Sequence, residues 1–214
     1  MWKKEYKKKG FYFGLDPHPV LKKFLPIIPK GVALDIGAGE GRNSFFLAKN
    51  GFSVEAIDKI SEGLEKIEKF SKENKLSIKT KKCDVVNFLF KKEKYSLIVA
   101  SASLDFLRKS QIIKIAEKIK TSLKKGGIVF LGVFSIKDDL FYKIKEIGIK
   151  ETEENTFFLK KMDTFRHFFT KEELKEMFKD FEMIYLNQKR IEDKSHGEPH
   201  FHNVINMVAK KKRK

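Results

Sequence analysis

Three alternate glycines, Gly37, Gly39 and Gly41, lie between two acids, Asp35 and Asp58, and this spacing carries the clearest chemistry in the 214-residue chain. Glycines at every second position let the backbone turn sharply and let a ligand rest against bare main chain. A dinucleotide fingerprint, G-x-G-x-x-G, needs glycine at position 42, where this chain has Arg42. An acid two residues ahead of the first glycine repels a pyrophosphate and suits a ligand with an ammonium group. Asp58 can accept hydrogen bonds from both hydroxyls of a ribose.

A second cluster falls late. Three of the five histidines occupy one run, His196-Gly197-Glu198-Pro199-His200-Phe201-His202. H-x3-H-x-H can hold a metal if the loop folds back and Glu198 or His196 completes the ligand set. It can also be a polar hairpin turn made by Gly197 and Pro199, or a loop that faces a substrate. On a strand, His200 and His202 share one face and Phe201 points the other way. The substrate-facing reading is preferred and no resident metal is expected, because the loop joins the last two strands and returns towards the sheet.

The elements that position these groups follow from periodicity. Val32-Ala33-Leu34 with Ile36 reads as a buried strand, followed by a helix carrying Phe45, Phe46, Leu47 and Ala48 that Gly51 ends. Val54, Ala56 and Ile57 form a second strand finishing on Asp58. Strand, glycine turn, helix, strand and acid make a mononucleotide-binding half-unit. Ser61 is placed to cap a helix bearing Leu64, Ile67 and Phe70, and Ser110 one bearing Ile112, Ile115, Ala116, Ile119 and Leu123. Ser77 to Lys82, Tyr95 to Ala102 and Ile128 to Phe134 are further strands, with Lys124 to Gly127 ending the helix before the last of them. Thr170 and Glu173 form a capping box, and Phe181 to Arg190 and Asn203 to Ala209 are the closing strands. Residues 135–169 break the periodicity and read as an insertion over the substrate side. His18 lies in the turn Asp16-Pro17-His18-Pro19 with no evident partner.

Length and a 41% hydrophobic fraction with 21 phenylalanines fit one domain over 1–214 with a sizeable core. No apolar run reaches the roughly 18 residues of a membrane helix, no secretory signal is evident, and the one cysteine, Cys83, fits a reducing cytoplasm. The net charge of +17 comes almost wholly from lysine, since only Arg42, Arg108, Arg166, Arg190 and Arg213 are arginines. Lysines interleaved with glutamates read as solvated helix faces and fit a heat-adapted source. A nucleic-acid footprint is possible but not favoured, because no aromatic-basic interleaving accompanies the charge.

The stretch from Leu34 to Gly41, L-D-I-G-A-G-E-G, resembles motif I of the class I S-adenosylmethionine-dependent methyltransferases. G-R-N-S with L-A-K-N-G-F-S-V-E-A-I-D to Asp58, and the late H-G-E-P-H-F-H, resemble those of the tellurite-resistance type. LKKGGIVFLGVF also matches the family, whereas Ser96 stands where it usually has aspartate. The resemblance implies a Rossmann-like α/β fold of three αβα layers, with a seven-stranded, mostly parallel sheet whose last strand is antiparallel. It implies S-adenosyl-L-methionine as cofactor, bound by Asp35, Gly37, Ala38, Gly39, Gly41, Arg42, Asn43, Asp58, Lys59, Asp84, Val85 and Ser101. Asp84 would reach the adenine amino group and Val85 would offer backbone to the ring. The aromatic, basic arm over 1–19 would lie across the cofactor, with Trp2 and Tyr6 as substrate contacts or as packing.

The family's use of a late histidine and of arginines near the substrate implies His196 and Arg190, with His200, as catalytic. An amine, thiol or oxygen acceptor with a proton to lose calls for a base, for which His196, His200 or His202 can serve. A selenite- or tellurite-like oxyanion needs no base and instead wants cationic donors such as Arg190 and Arg166. The expected function is therefore methyl transfer to a small molecule or oxyanion. The alternatives are an RNA or protein methyltransferase docking through the basic surface, and a non-catalytic cofactor-binding protein.

Overall fold

The structure is a computed structural model and describes residues 2–193 and 199–213. The arm contributes α1 (Trp2–Tyr6) and α2 (Pro19–Phe24). The half-unit follows as β1 (Val32–Ile36), α3 (Arg42–Lys49) and β2 (Ser53–Asp58), and then come α4 (Ser61–Glu73), β3 (Ile78–Lys82) and β4 (Tyr95–Ser101). Beyond them lie α5 (Lys109–Ser122), β5 (Leu123–Phe134), α6 (Asp139–Glu146), β6 (Glu151–Glu153), β7 (Thr156–Leu159) and β8 (Thr164–His167). The chain closes with α7 (Lys171–Met177), β9 (Phe181–Asp193) and β10 (His200–Lys211).

Seven strands form one sheet in the order β3-β2-β1-β4-β5-β10-β9, parallel from β3 to β5 and with β10 antiparallel to both its neighbours. Alternate residues of the central strands serve opposite cores, as their period of two requires. Leu34, Ile36, Ile98 and Ala100 meet α5 and α7 through Ile112, Ile115, Ile119 and Leu174. Ala33, Leu97, Val99 and Phe130 meet α2 and α3 through Val20, Leu21 and Leu47, and α4 joins that side through Leu64 and Ile67. The expected three-layer α/β fold is the one observed. The strand order reverses direction between β1 and β4, so a crevice opens outside their carboxyl ends, where open α/β sheets bind ligands.

Several local expectations differ from the structure. Ser61 is the first residue of α4 and makes no cap; Asp58 Oδ1 instead accepts the Ile60 N–H at 2.8 Å. Helix α5 begins one residue ahead of Ser110, whose N–H and Oγ both bond to Glu153 at 2.7 and 2.9 Å. Leu123 opens β5 and is not part of the helix. The ladder jumps from Tyr95–Leu123 to Leu97–Ile128, so Lys124 to Gly127 form an irregularity within the strand. Residues 135–169 are not irregular: α6 and the antiparallel trio β6-β7-β8 enclose their own core of Phe141, Ile144, Phe157 and Phe168. His167, fully buried, ties this unit to α7 through Thr156 Oγ1 at 2.8 Å and Glu173 at 3.1 Å. Thr170 caps α7 by accepting the Glu173 N–H, while the Glu173 carboxylate turns to His167.

Candidate active site

The glycine turn begins where the buried run of β1 ends. Gly37 and Ala38 both donate their N–H to the Ile57 carbonyl, at 2.9 and 3.0 Å, and Gly39 donates to Asp58 Oδ2 at 2.9 Å. Asp58 thus clamps the turn with one oxygen and the entry to α4 with the other. Each carboxylate oxygen keeps a further acceptor site, so ribose hydroxyls can still be received. Gly37 is exposed and has φ +67°, and a Cβ added there would stand 2.4 Å from Ser103 Cβ. Beside it, Ser103 Oγ is buried and has no partner among the described residues. Bare backbone next to an orphaned hydroxyl fits the polar edge of a nucleoside-bearing ligand.

The turn is gripped from two other sides. The Tyr6 hydroxyl sits 2.8 Å from where a Gly39 Cβ would stand, and α4 passes so close that a Cβ on Gly63 would lie 2.3 Å from the Gly39 carbonyl oxygen. Trp2 stacks near Tyr6 at 6.3 Å between ring centroids and meets Phe106, on the loop after β4, edge-on at 6.3 Å. The arm therefore packs across the crevice from the glycine turn to that loop.

Charge in the turn is poised for a cation. Asp35 is 2% exposed and accepts a hydrogen bond from Ser44 Oγ at 2.6 Å. Burial pushes its carboxyl up to about 6; the Ser44 bond opposes this, and repulsion from Asp58 adds to it. Asp58 is likewise raised by burial, against the pull of its backbone hydrogen bonds. Burial, reinforced by Asp58 and Glu40, holds the Tyr6 phenol protonated well beyond its ordinary range. A ligand ammonium or sulfonium would add positive charge beside two acids that burial raises in spite of Arg42 and Lys59.

The other expected cofactor residues take varied places. Arg42 is largely buried beside the Phe13 ring, 5.7 Å from its centroid, and interacts electrostatically with Asp35 and Asp193. Asn43 does not face a ligand with its carbonyl oxygen, which holds the His18 N–H at 2.9 Å and pins the arm to α3. Lys59 is exposed next to Asp58, and Ala38 and Gly41 complete the turn. Gly41 is closed over by Ile67 and Phe45, so it serves packing. Asp84 caps the short turn that follows it, Oδ1 accepting the Val86 N–H at 2.9 Å, which leaves Oδ2 to reach an adenine amino group. Val85 packs against the core next to it, and Ser101 ends β4 beside Gly132. His18, expected to be alone, accepts the Val20 N–H on Nδ1 and rests on Phe130 at 4.9 Å between centroids. Burial and the charges of Arg42 and Lys189 depress it to about 4, so it is a neutral imidazole near pH 7.

Outside the carboxyl ends of β4 and β5 lies a second group. Asp105 is fully buried, with Oδ1 accepting the Phe134 N–H at 2.6 Å and Oδ2 unpartnered among the described residues. Burial raises it to about 6 against the opposing charge of Arg166. The Arg166 guanidinium, carried by β8, lies over Phe134 and Phe106 at 4.2 and 4.6 Å, with Nε and Nη1 buried and unpartnered among the described residues. His202 packs on Phe134 at 4.6 Å and bonds to Asp138 through Nδ1, and His200 Nε2 lies 3.0 Å from His202 Nε2.

Arg190 is not part of this group. It pairs with Asn203 in the ladder and so projects from the face opposite His200 and His202, where it stacks on Phe201 at 3.9 Å and meets Asp139 at 3.1 Å. The expectation that Arg190 acts beside the histidines is corrected by this register. His196 lies outside the described residues.

Residues 2–200 match the family described as tellurite resistance protein TehB. The chain belongs to that family. A probable S-adenosyl-L-methionine-dependent methyltransferase TehB of Haemophilus influenzae is 25% identical over 162 residues, covering 76% of this chain and 50% of its own length. The chain thus spans about half the length of that TehB relative. Among solved structures, TehB from Haemophilus influenzae aligns with TM-score 0.71 and 23% identity over 99% of this chain and 66% of its own. An S-adenosylmethionine-dependent methyltransferase from Methanosarcina mazei aligns with TM-score 0.74 and 23% identity over 94% of this chain and all of its own. The 1,6-didemethyltoxoflavin-N1-methyltransferase of Burkholderia thailandensis, solved with bound 1,6-didemethyltoxoflavin and S-adenosylhomocysteine, aligns with TM-score 0.65 and 17% identity over 90% of this chain and 75% of its own. These likenesses establish the fold of the TehB-family chain. No helix among its described residues is long and apolar enough to cross a membrane.

Proposed function

We propose that this chain is a methyltransferase that binds S-adenosyl-L-methionine against Gly37 to Gly41 and methylates a small, preferably anionic acceptor. The carrying observation is the Asp58 clamp: one carboxylate fixes the turn beside bare Gly37 and the orphaned Ser103 hydroxyl. When bound, the cofactor supplies an electrophilic methyl on a sulfonium. Asp58 receives the ribose hydroxyls, Asp35 offsets the ammonium, and Asp84 and Val85 frame the adenine. In-line transfer asks the protein mainly to align donor and acceptor and to exclude water. The aromatic arm, Phe106 and Phe134 supply the dry walls, and the Arg166 guanidinium, buried against Phe106 and Phe134 with Nε and Nη1 unpartnered among the described residues, is the cation that would pair with an acceptor's negative oxygens. His200, His202 and the raised Asp105 carboxyl are described groups that could take a proton from an amine or thiol. The bound heterocycle of the Burkholderia enzyme supports a small-molecule acceptor. Transfer of labelled methyl to a panel of selenite, tellurite, thiols, amines and RNA tests the reading. Label on a small acceptor is expected, whereas label on RNA alone would overturn it.

The raised Asp35 gives a pH dependence. An ammonium ligand favours the ionised carboxylate, so affinity is full above about 6 and falls as pH drops through that value. At pH 5 about one carboxyl in ten is ionised, and S-adenosylhomocysteine should bind about tenfold more weakly than at pH 7.5. Calorimetry at the two pH values checks this, and a flat profile contradicts it.

The two arginines separate by position. Arg166→Lys keeps the charge but loses the planar fork, and should cut kcat/KM for an anionic acceptor about tenfold or more while S-adenosylhomocysteine affinity holds. Arg190→Ala should leave both within about twofold, because its exposed ion pair is worth about 1 kcal/mol at most. Paired steady-state assays and titrations decide it, and equal losses in both variants would remove Arg166 from the substrate side.

A further inference from the structure

The β9–β10 hairpin gathers three ligand-bearing side chains that cofactor binding does not use. His200 pairs directly with Asp193 in the ladder, and His202 follows two residues later on the same face. One ligand atom from each of Asp193, His200 and His202 lies within 4.8 Å of the others. The two Nε2 atoms stand 3.0 Å apart with their rings nearly perpendicular, at 85°. Two imidazole nitrogens bound to one tetrahedral zinc at about 2.05 Å would be about 3.3 Å apart, so the pair is close to ligating separation.

The orientation of His202 is built from behind. Its Nδ1 is 3.1 Å from Oδ2 of Asp138, which is 1% exposed and also accepts the N–H groups of Asn203 at 2.8 Å and Leu140 at 2.9 Å. The Asp138 oxygen that accepts the Asn203 N–H is placed to accept Nδ1–H as well, and His202 then turns its Nε2 lone pair towards His200. A histidine that donates one ring N–H to a buried carboxylate and offers the other nitrogen is the common support of a metal ligand. The Phe134 ring against His202 further limits its rotation.

We infer that Asp193, His200 and His202 form a binding site for a divalent transition-metal ion of borderline softness, with zinc as the type ion. Two imidazoles and one carboxylate suit such an ion and leave at least one coordination position for water or for an oxygen or sulfur ligand. Asp138 is a positioning residue, not a ligand. The site uses no residue of the glycine turn, and with an ion bound His200 and His202 would coordinate it and would not serve as proton acceptors.

The test uses the full chain stripped with a chelator and titrated with Zn2+ by calorimetry and with Co2+ by visible absorption. One ion per chain is expected, with the intense d–d bands of a four- or five-coordinate Co2+. His200→Ala and His202→Ala should each abolish these bands while S-adenosylhomocysteine binding, the control for folding, persists. Asp138→Asn should weaken Zn2+ by about 10- to 100-fold, and Arg190→Ala should leave it unchanged. Asp58→Ala should keep metal affinity while losing the nucleoside, so failure of this site and failure of the methyltransferase reading are distinguishable. Absence of saturable binding, or stoichiometric binding that survives His202→Ala, would overturn the site and leave the 3.0 Å contact as a simple histidine–histidine hydrogen bond.

Discussion

Asp58→Ala should weaken S-adenosylhomocysteine binding by about 100-fold or more. Two hydrogen bonds from ribose hydroxyls to a carboxylate, at about 1.5 kcal/mol each, account for roughly 3 kcal/mol and hence that factor. The loss has a second source. Asp58 accepts the N–H groups of Gly39 and Ile60, so its removal leaves both donors without a partner and loosens the turn itself. Each orphaned donor costs about 1 kcal/mol or more, and the melting temperature should fall together with affinity. Asp58→Asn separates the two effects: it retains one acceptor oxygen but cannot accept on both sides, and an intermediate loss is expected. Calorimetry on both variants, with thermal unfolding alongside, checks the result. Full affinity in Asp58→Ala would show that the nucleoside is held elsewhere.

Gly63→Ala should destabilise the protein although it places the best helix former inside a helix. Helix propensity alone favours the substitution by about 1 kcal/mol. Yet the new methyl would stand 2.3 Å from the Gly39 carbonyl oxygen and 3.2 Å from the Tyr6 ring. Gly39 cannot yield freely, because Asp58 holds its N–H. Overpacking of this kind costs about 1–3 kcal/mol, so a net loss of up to about 2 kcal/mol is expected, with S-adenosylhomocysteine affinity reduced at least about tenfold as the turn is pushed away from α4. Glu65→Ala, on the exposed face of the same helix, should change neither by more than about 0.5 kcal/mol. Denaturant unfolding and ligand titration of the two variants decide it. Normal binding by Gly63→Ala would mean that the turn need not keep its place.

Gly63 also shows why part of the site was hidden in the sequence. Inside a helical pattern it reads as a mild defect; its purpose depends on Gly39, 24 residues away in the chain, passing against it. The glycine turn itself was legible, because strand, turn, helix and acid are contiguous and each leaves a local mark. So were the alternating strands and the cap at Thr170. Arg190 was misplaced because side-chain facing depends on ladder register, and a shift of one residue reverses it. Once Arg190 pairs with Asn203, it must share the face of Phe201 and not that of His202. The contact of Asn43 with the arm was hidden for a related reason: its partner, the His18 N–H, is 25 residues away and no local pattern connects them.

Arg166 and Asp105 were the hardest to place. The sequence offers Arg166 as a donor for an oxyanion only by its charge, and its setting is new: β8 carries it onto Phe106 and Phe134 beside a fully buried acid. That proximity arises because 135–169 folds as a unit with its own core and docks on the carboxyl ends of β4 and β5. The signal available was the density of aromatics in that stretch, which indicates packing without saying against what. Tyr6 was visible as one of several arm aromatics, but its contact with Gly39 appears only in three dimensions.

The most direct measurement is the structure of the protein crystallised with S-adenosylhomocysteine. The expected result is density along Gly37 to Gly39, with the ribose on Asp58, the amino group towards Asp35 and the base near Asp84 and Val85. Density at any other place, with Gly37 and Ser103 untouched, would contradict the nucleoside site and the methyl transfer built on it.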